Sequence, residues 1–146
     1  FCSVRPPGHH ARAEQALGFC FFNNIAVTVA YTLEKYGFKR IAIIDFDVHH
    51  GNGTEEMFAS DPRVLMCSIY QDSIFPNVHA QNAGSNMVNI GVPANTDGET
   101  LRDTEKLVDL ADRSAQGRIV SFLEGGYDLP ALGRSVAVHI KALAKL

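Results

Sequence analysis

The sequence contains few cysteines, no block of basic residues and no long hydrophobic run. Its three cysteines are odd in number and form no C-x-x-C pair, which favours reduced thiols over a disulfide framework. A net charge of −3 and scattered Lys and Arg residues argue against a nucleic-acid or anionic-membrane binder. The apolar stretch around Ile25–Leu33 is too short to span a bilayer, and residues 1–7 lack the pattern of a secretory signal. These features predict a cytoplasmic protein with no membrane or direct nucleic-acid partner.

The chain does contain alternating strand and helix patterns. Short β-branched or apolar runs predict strands at Ile41–Asp45, Val64–Ile69, Met87–Val92 and Ile119–Leu123. Helical spacing predicts helices at Phe21–Tyr36, Thr54–Ala59, Glu99–Ala115 and Leu129–Leu146. This alternation predicts an α/β fold, a single domain over residues 1–146 with a parallel β-sheet flanked by helices on both faces. The polar stretch Tyr70–Ser85 is long for a loop and is therefore a functional candidate.

The segment Asp45–Gly53, with the sequence DFDVHHGNG, follows the first predicted strand. In an extended chain Asp45, Asp47 and His49 share one face. Two carboxylates and an imidazole converging at the carboxyl end of a buried strand repel or desolvate one another unless a cation is present. Asp oxygen and His nitrogen suit Zn²⁺, so a metal site is favoured over the alternative of strand-end caps and a loop histidine.

Two further segments carry side chains suited to chemistry. His9 and His10 follow Pro6-Pro7-Gly8 on a loop, where two imidazoles can supply a base and an acid near neutral pH. Tyr127 follows Glu124-Gly125-Gly126, and its hydroxyl can donate to a developing oxyanion. Each segment alone is a weak signal, since exposed His-His loops are often inert and such a tyrosine often packs on its turn.

Taken together, these motifs resemble the histone deacetylase superfamily, which includes acetylpolyamine amidohydrolases and acetoin-utilisation proteins. The matching stretches are RPPGHHA (5–11), GFCFFNN (18–24), DFDVHHGNGT (45–54) and EGGYD (124–128), in the same order as in the family. Asn52 and the Glu before Gly-Gly-Tyr are closer to the class II and bacterial members than to class I.

The resemblance implies a catalytic role for each motif. Asp47 and His49 would be ligands of one Zn²⁺ ion, and Tyr127 would polarise the acetyl carbonyl. The remaining catalytic residues are implied to form two pairs that share general acid and base duties, namely His9 with Asp45 and His10 with Asn52.

Substrate and cation sites are implied in the same way. Phe19 and Phe75 would wall a narrow tunnel for the acyl-lysine or amine stem, and the Gly18 carbonyl would accept from the substrate amide. A monovalent cation, usually K⁺, would lie beside the strand at Asp45, Ser68 and the carbonyls of Asp47 and His49.

The sequence departs from the family at the third zinc ligand, an Asp that follows Gly-Phe at the end of a further strand. No Gly-Phe-Asp occurs here, and the chain therefore resembles a partial domain that lacks the segment with this ligand. The acids between Val92 and Ile119 follow no apolar strand and are expected to be solvated; they are Asp97, Asp103, Asp109 and Asp112.

The implied function is hydrolysis of the acetyl amide of N-acetyl-lysine or of an acetylated amine or polyamine. An alternative is a truncated, non-catalytic homologue that binds an acyl-lysine or a partner protein. An arginase-type metallohydrolase fits poorly, because it binds two metals through more Asp and His residues. The oligomeric state is not predicted.

Overall fold

The computed structural model describes residues 1–77, 83–96 and 100–146, with the backbone alone at 100–102. These residues form two compact units. The sheet unit comprises Val4–Thr96, and the helical unit comprises Phe1–Ser3 with Asp97–Leu146.

The sheet unit contains three parallel strands in the order β1-β2-β3. They are β1 at Ile41–Asp45, β2 at Val64–Gln71 and β3 at Met87–Val92. Asp45, the last residue of β1, is in register with Ser68 of β2. The predicted α/β class with a parallel sheet is therefore confirmed, and the three strands lie where their apolar runs predict them.

Two helices of the sheet unit flank this sheet, α1 at Asn24–Tyr36 and α2 at Asn52–Phe58. Helix α1 begins later than predicted because the Asn23 side chain accepts from the backbone N–H of Ala26 and caps the helix. It ends at Gly37, which has the left-handed conformation expected of a helix-terminating glycine. Apolar residues of α1 and α2 pack against one face of the sheet. The core formed there consists of Ala26, Val29, Leu33, Ile43, Phe58, Val64, Met66 and Met87.

Within the described part of the sheet unit the helices lie on one face of the sheet, so this unit alone does not confirm the prediction of helices on both faces. Leu65, Ile69, Val88 and Ile90 alternate with the core residues along β2 and β3 and are about 40% exposed. No helix of the sheet unit is available to cover them, because the described part of that unit has only α1 and α2, whose buried residues belong to the core on the other face.

The helical unit contains α3 at Thr100–Ala115 and α4 at Leu129–Leu143. The predicted strand at Ile119–Leu123 is wrong, since a strand needs a partner and, within the described ranges, this segment forms only the single bridge of Phe122 to Cys2. Val120 is accordingly 63% exposed. The predicted start of α3 at Glu99 lies outside the described residues, as do residues 78–82 of the predicted loop. No helix in the described part of the chain is long and apolar enough to cross a membrane.

Candidate active site

Residues 45–49 carry the candidate ligands on a bent segment that follows β1. The strand ends at Asp45 because its Oδ1 accepts from the backbone N–H of Asp47 at 3.1 Å, and Asp47 Oδ1 accepts from that of His49 at 2.8 Å. Each carboxylate thus binds the backbone N–H two residues later, and this local hydrogen bond bends the chain. The predicted alternation is retained, since Phe46 and Val48 are each about half exposed while the Asp47 side chain is 10% exposed.

His9 is buried against the end of β1. Its Nδ1 lies 2.9 Å from Asp45 Oδ2, and its Nε2 lies 3.9 Å from Asp47 Oδ1. Because a carboxylate only accepts, Nδ1 carries a proton and donates it. The hydrogen bond between His9 and Asp45 that the resemblance implies is thus present, and it fixes the orientation of the ring.

His10 forms the second implied pair, with its Nδ1 2.8 Å from Asn52 Oδ1. Its ring packs at 4.1 Å from that of His9 and at 4.9 Å, edge to face, from that of Phe75. Burial, and then the neighbouring His9, lower the pKa of His10 to about 4. His10 is therefore uncharged at neutral pH and able to accept a proton.

The His9-His10 loop is held by the amino end of α2. The backbone N–H groups of Gly53 and Thr54 both donate to the His9 carbonyl, at 3.0 and 3.2 Å. A Cβ on Gly53 would lie 2.2 Å from the Ala11 carbonyl oxygen, so only glycine allows this approach. The helix that begins at Asn52 thus positions both the loop and the partner of His10.

The predicted substrate residues lie in the same unit as these histidines. Gly18 has a φ of +55°, and a Cβ there would lie 2.3 Å from His10 Cδ2, so its backbone passes directly against the imidazole. Its carbonyl accepts a weak hydrogen bond from the Cys20 thiol at 3.4 Å. Phe19 is 77% exposed and Phe75 is 41% exposed. Phe75 also contacts His49, with ring centroids 6.2 Å apart.

The residues predicted for zinc fit a metal in chemistry and spacing. His49 Nδ1 lies 3.3 Å from Asp47 Oδ1, and two ligands about 2.0–2.1 Å from a tetrahedral ion are about 3.3 Å apart. Among the described residues no group of three His, Cys, Asp or Glu side chains is arranged to hold a metal ion. Of the four dismissed acids, Asp103, Asp109 and Asp112 lie exposed on α3, and Asp97 lies outside the described residues.

Ser68 fits the predicted K⁺ site. Its side chain is fully buried, and its Oγ has no hydrogen-bond partner in the described part of the protein. A buried hydroxyl without a partner costs about 1–3 kcal/mol. Ser68 pairs in register with Asp45, and oxygen donors of this kind suit a hard cation.

Tyr127 belongs to the helical unit. It is 60% exposed and lies just before α4, where the Asp128 side chain accepts from the backbone N–H of Ala131 and caps the helix. Gly126 before it has a φ of +96°, a conformation that other residues rarely adopt. The catalytic role of Tyr127 stays a prediction, and so do the catalytic, metal-binding and substrate-binding roles of the residues in the sheet unit.

The sequence analysis assigned no role to His50, Glu55 or Asn89, which form a partly buried polar network. His50 is completely buried, whereas its neighbour His49 has a side chain that is 32% exposed. The available signal was the strand-like alternation that turns His50 away from His49.

The sheet unit thus combines a parallel sheet with two paired histidines and an Asp-x-His motif after β1. Comparison with known proteins identifies the family. The histone deacetylase domain model matches residues 1–106, so the chain belongs to the histone deacetylase family.

Three curated relatives illustrate the similarity. Histone deacetylase 14, chloroplastic, of Arabidopsis thaliana is 30% identical over 98% of this chain and 46% of its own length. Histone deacetylase 10, chloroplastic, of Oryza sativa subsp. japonica is 33% identical over 97% of this chain and 44% of its own length. The probable deacetylase of Archaeoglobus fulgidus is 44% identical over 68% of this chain and 29% of its own length. The chain thus spans less than half the length of each of these relatives.

The rice alignment also indicates an internal difference. It runs over 193 residues, whereas this chain has 146, so at least 47 aligned positions of that relative have no counterpart here. Forty-seven residues in total are enough to form a strand and a helix of a βαβ unit.

Proposed function

We propose that this chain carries part of a zinc-dependent deacetylase site that hydrolyses the acetyl amide of N-acetyl-lysine or of an acetylated amine or polyamine. One observation supports this most strongly. His9 with Asp45 and His10 with Asn52 form hydrogen-bonded pairs beside Asp47 and His49. This combination unites proton-transfer groups with proposed metal ligands, both of which a metal-dependent amide hydrolysis uses.

Asp47 and His49 would hold the zinc. When bound, this ion would act as a Lewis acid toward the acetyl carbonyl and would lower the pKa of a coordinated water. His10, uncharged at neutral pH, would take a proton from the attacking water. The two histidines would then share the task of protonating the nitrogen of the leaving amine, with His9 oriented by the hydrogen bond from its Nδ1 to Asp45. The products would be acetate and a free amine.

The remaining proposed residues would orient the substrate. The Tyr127 hydroxyl would donate to the oxygen of the tetrahedral intermediate. Phe19 and Phe75 would line the path of the lysine or amine stem, and the Gly18 carbonyl would accept from the substrate amide in place of the Cys20 thiol. K⁺ would be held by Ser68, Asp45 and the carbonyls of Asp47 and His49.

Partners and location follow from the same proposal. We propose acetylated lysine or a small acetylated amine as substrate, with no direct nucleic-acid or membrane partner. A cytoplasmic location is proposed because the thiols of Cys2, Cys20 and Cys67, all in the described residues, form no disulfide.

A restored chain would test this function. In it, the positions without a counterpart would be filled with the corresponding residues of the rice relative. We expect it to release acetate from an acetyl-lysine peptide and to lose this activity on treatment with a chelator. Turnover that survives complete metal removal would contradict the proposal.

A second candidate function is favoured by the absence of a three-residue metal cluster in the described ranges. The chain as it stands would then bind an acyl-lysine or partner protein without hydrolysing it. Saturable binding of an acetyl-lysine peptide without acetate release, both in this chain and in the restored chain, would support this alternative.

A further inference from the structure

His50 is a buried histidine to which the proposed mechanism gives no role. Its Nε2 lies 3.0 Å from Asn89 Oδ1 and 3.5 Å from Glu55 Oε2. Asn89 Nδ2 in turn donates to Glu55 Oε1 at 2.6 Å. The three side chains link the turn after His49, helix α2 and strand β3.

The direction of these hydrogen bonds follows from the chemistry of the groups. The Glu55 carboxylate can only accept, so the Asn89 amide directs its NH₂ toward Glu55 and its oxygen toward His50. An amide oxygen also only accepts, and His50 therefore donates from Nε2. The opposite ring atom, Nδ1, has no hydrogen-bond partner in the described part of the chain. A single directional N–H···O bond thus joins His50 to β3.

The residues on either side of His50 are those of the proposed site. His49 precedes it, and Asn52, the partner of His10, lies two residues after it. Between them, Gly51 passes so close to β1 that a Cβ there would lie 2.2 Å from Asp45 Oδ2. Any displacement of His50 would therefore move the turn that carries His49 and presses against the carboxylate of the His9–Asp45 pair.

Other contacts also join this turn to the sheet. Val48 O accepts from the Gln71 backbone N–H at 2.9 Å, and the His50 carbonyl accepts from Asn52 within the turn itself. The His50 ring also packs edge to face on Tyr70, with centroids 4.8 Å apart. The polar and aromatic contacts of one ring thus hold the turn against β2 and β3.

We propose that His50 is a positioning residue, which places the His49 ligand and the Asn52 partner of His10 by anchoring their turn to Asn89. This inference rests on the proposed function, because it assigns His49 to the metal. Residues that orient metal ligands typically change metal affinity by about 10–100-fold when substituted.

The test compares His50→Gln with His50→Leu in the full chain. Glutamine retains a planar N–H donor near the position of Nε2, whereas leucine retains only volume. His139→Leu is the matched control, because His139 is a buried, doubly hydrogen-bonded histidine of the helical unit. The affinity for Co²⁺ would be measured by titration of its visible absorption. We expect His50→Leu to weaken it by about 10-fold or more, His50→Gln to restore most of it, and His139→Leu to leave it unchanged.

A second readout needs no metal. Imidazole ¹H–¹⁵N spectra of the metal-free chain would follow the rings of His9, His10 and His49. We expect His50→Leu to shift these signals and His50→Gln to preserve them. Should His50→Leu fail to fold, Asn89→Ala removes the same acceptor and serves in its place, with the same expected shifts and loss of affinity.

The outcomes separate this inference from the proposed function. If Co²⁺ binding survives Asp47→Ala, the proposed metal site is wrong, and the ring spectra alone decide the role of His50. If Asp47→Ala abolishes binding while His50→Leu and Asn89→Ala alter neither the affinity nor the ring signals, the metal site stands and the positioning role of His50 is overturned.

Discussion

Gly18 shows how closely the backbone defines the site at the scale of a single residue. It holds a left-handed conformation beside the His10 ring, and its missing Cβ leaves the space that the imidazole occupies. Gly37 has a similar φ of +65° but has nothing within 4 Å of the position of a Cβ. A comparison of substitutions at the two glycines therefore distinguishes the cost of a side chain at positive φ from the cost of a clash with the His10 ring.

We predict that Gly18→Ala destabilises the protein more than Gly37→Ala. Both substitutions place a side chain at positive φ, at a cost of about 1–2 kcal/mol. Gly18→Ala also forces the His10 ring to move, which adds about 1–3 kcal/mol. Urea unfolding measures both values, and equal losses would mean that His10 does not pack on Gly18.

Tyr127 carries the residue-scale prediction about catalysis. In the restored chain, Tyr127→Phe removes one oxyanion donor and is expected to lower kcat by about 10²-fold or more, with a smaller change in KM. Leu129→Ala is a control, because Leu129 is 73% exposed near Tyr127 and has no proposed role. An unchanged kcat in acetate-release assays would show that the hydroxyl is not at the carbonyl.

At the same scale, the pairing of His9 with Asp45 and of His10 with Asn52 could be predicted from the sequence through the family resemblance. The contact of Gly18 with His10 could not, because nothing in the sequence specifies a left-handed φ at that glycine. His50 was missed for a related reason. Its partner Asn89 lies 39 residues further along the chain, and only the register of β3 brings it to His50 and Glu55.

Asn23 connects elements as well as capping one. Its oxygen accepts from the Ala26 N–H, while its Nδ2 donates to the Ala11 carbonyl at 3.2 Å and to Thr54 Oγ1 at 3.0 Å. The first residues of α1, the loop that carries the two histidines and helix α2 thus meet at one buried side chain.

We predict that Asn23→Ala lowers the free energy of unfolding by about 2–4 kcal/mol, from about 1 kcal/mol for the cap and about 0.5–1.5 kcal/mol for each further hydrogen bond. Asp128→Ala is the matched control, since Asp128 caps α4 at an exposed position and should cost only about 1 kcal/mol. Equal losses in urea unfolding would contradict the linking role of Asn23.

His139 links three segments of the helical unit, with Nδ1 2.8 Å from Thr104 Oγ1 and Nε2 2.8 Å from Ser121 Oγ. Burial lowers the pKa of His139 from its ordinary value of 6.5. The unfolded protein therefore binds more protons between the two pKa values, and stability there rises with pH. The contribution is complete above about pH 6.5 and is lost as the pH falls toward the lower, folded pKa.

We accordingly predict that His139→Gln removes this part of the pH dependence. The difference in free energy of unfolding between the two proteins should shrink as the pH falls from 7.5 to 5, which urea unfolding over this range would measure. A difference that stays constant with pH would show that His139 titrates normally.

The elements themselves were predictable to different degrees. The strands β1 and β3 lie at their predicted bounds because each is a short apolar run with parallel neighbours to pair with. Ile119–Leu123 is similarly apolar, but among the described residues it pairs with Cys2 alone, so its pattern was not sufficient to form a strand. Composition specifies which residues are able to form a strand, and pairing partners decide whether it forms.

At the scale of the whole molecule, association depends on exposed apolar side chains, which include Leu65, Ile69, Val88 and Ile90 of the sheet unit. Apolar surfaces of this kind promote association. We predict that the purified chain aggregates readily and that Leu65→Lys combined with Ile90→Lys reduces this, as measured by sedimentation velocity. Leu129→Lys, at an exposed position of α4, is the control. Equal association in both variants would show that the sheet face is not responsible.

The central claim concerns Asp47 and His49, the two proposed zinc ligands, which have no third ligand among the described residues. Two protein ligands leave zinc without the fixed geometry that three provide. Isothermal titration of Zn²⁺ into the purified chain tests this most directly. We expect Zn²⁺ to bind weakly and this binding to disappear in Asp47→Ala and in His49→Ala. Tight, stoichiometric binding that survives both substitutions would contradict it.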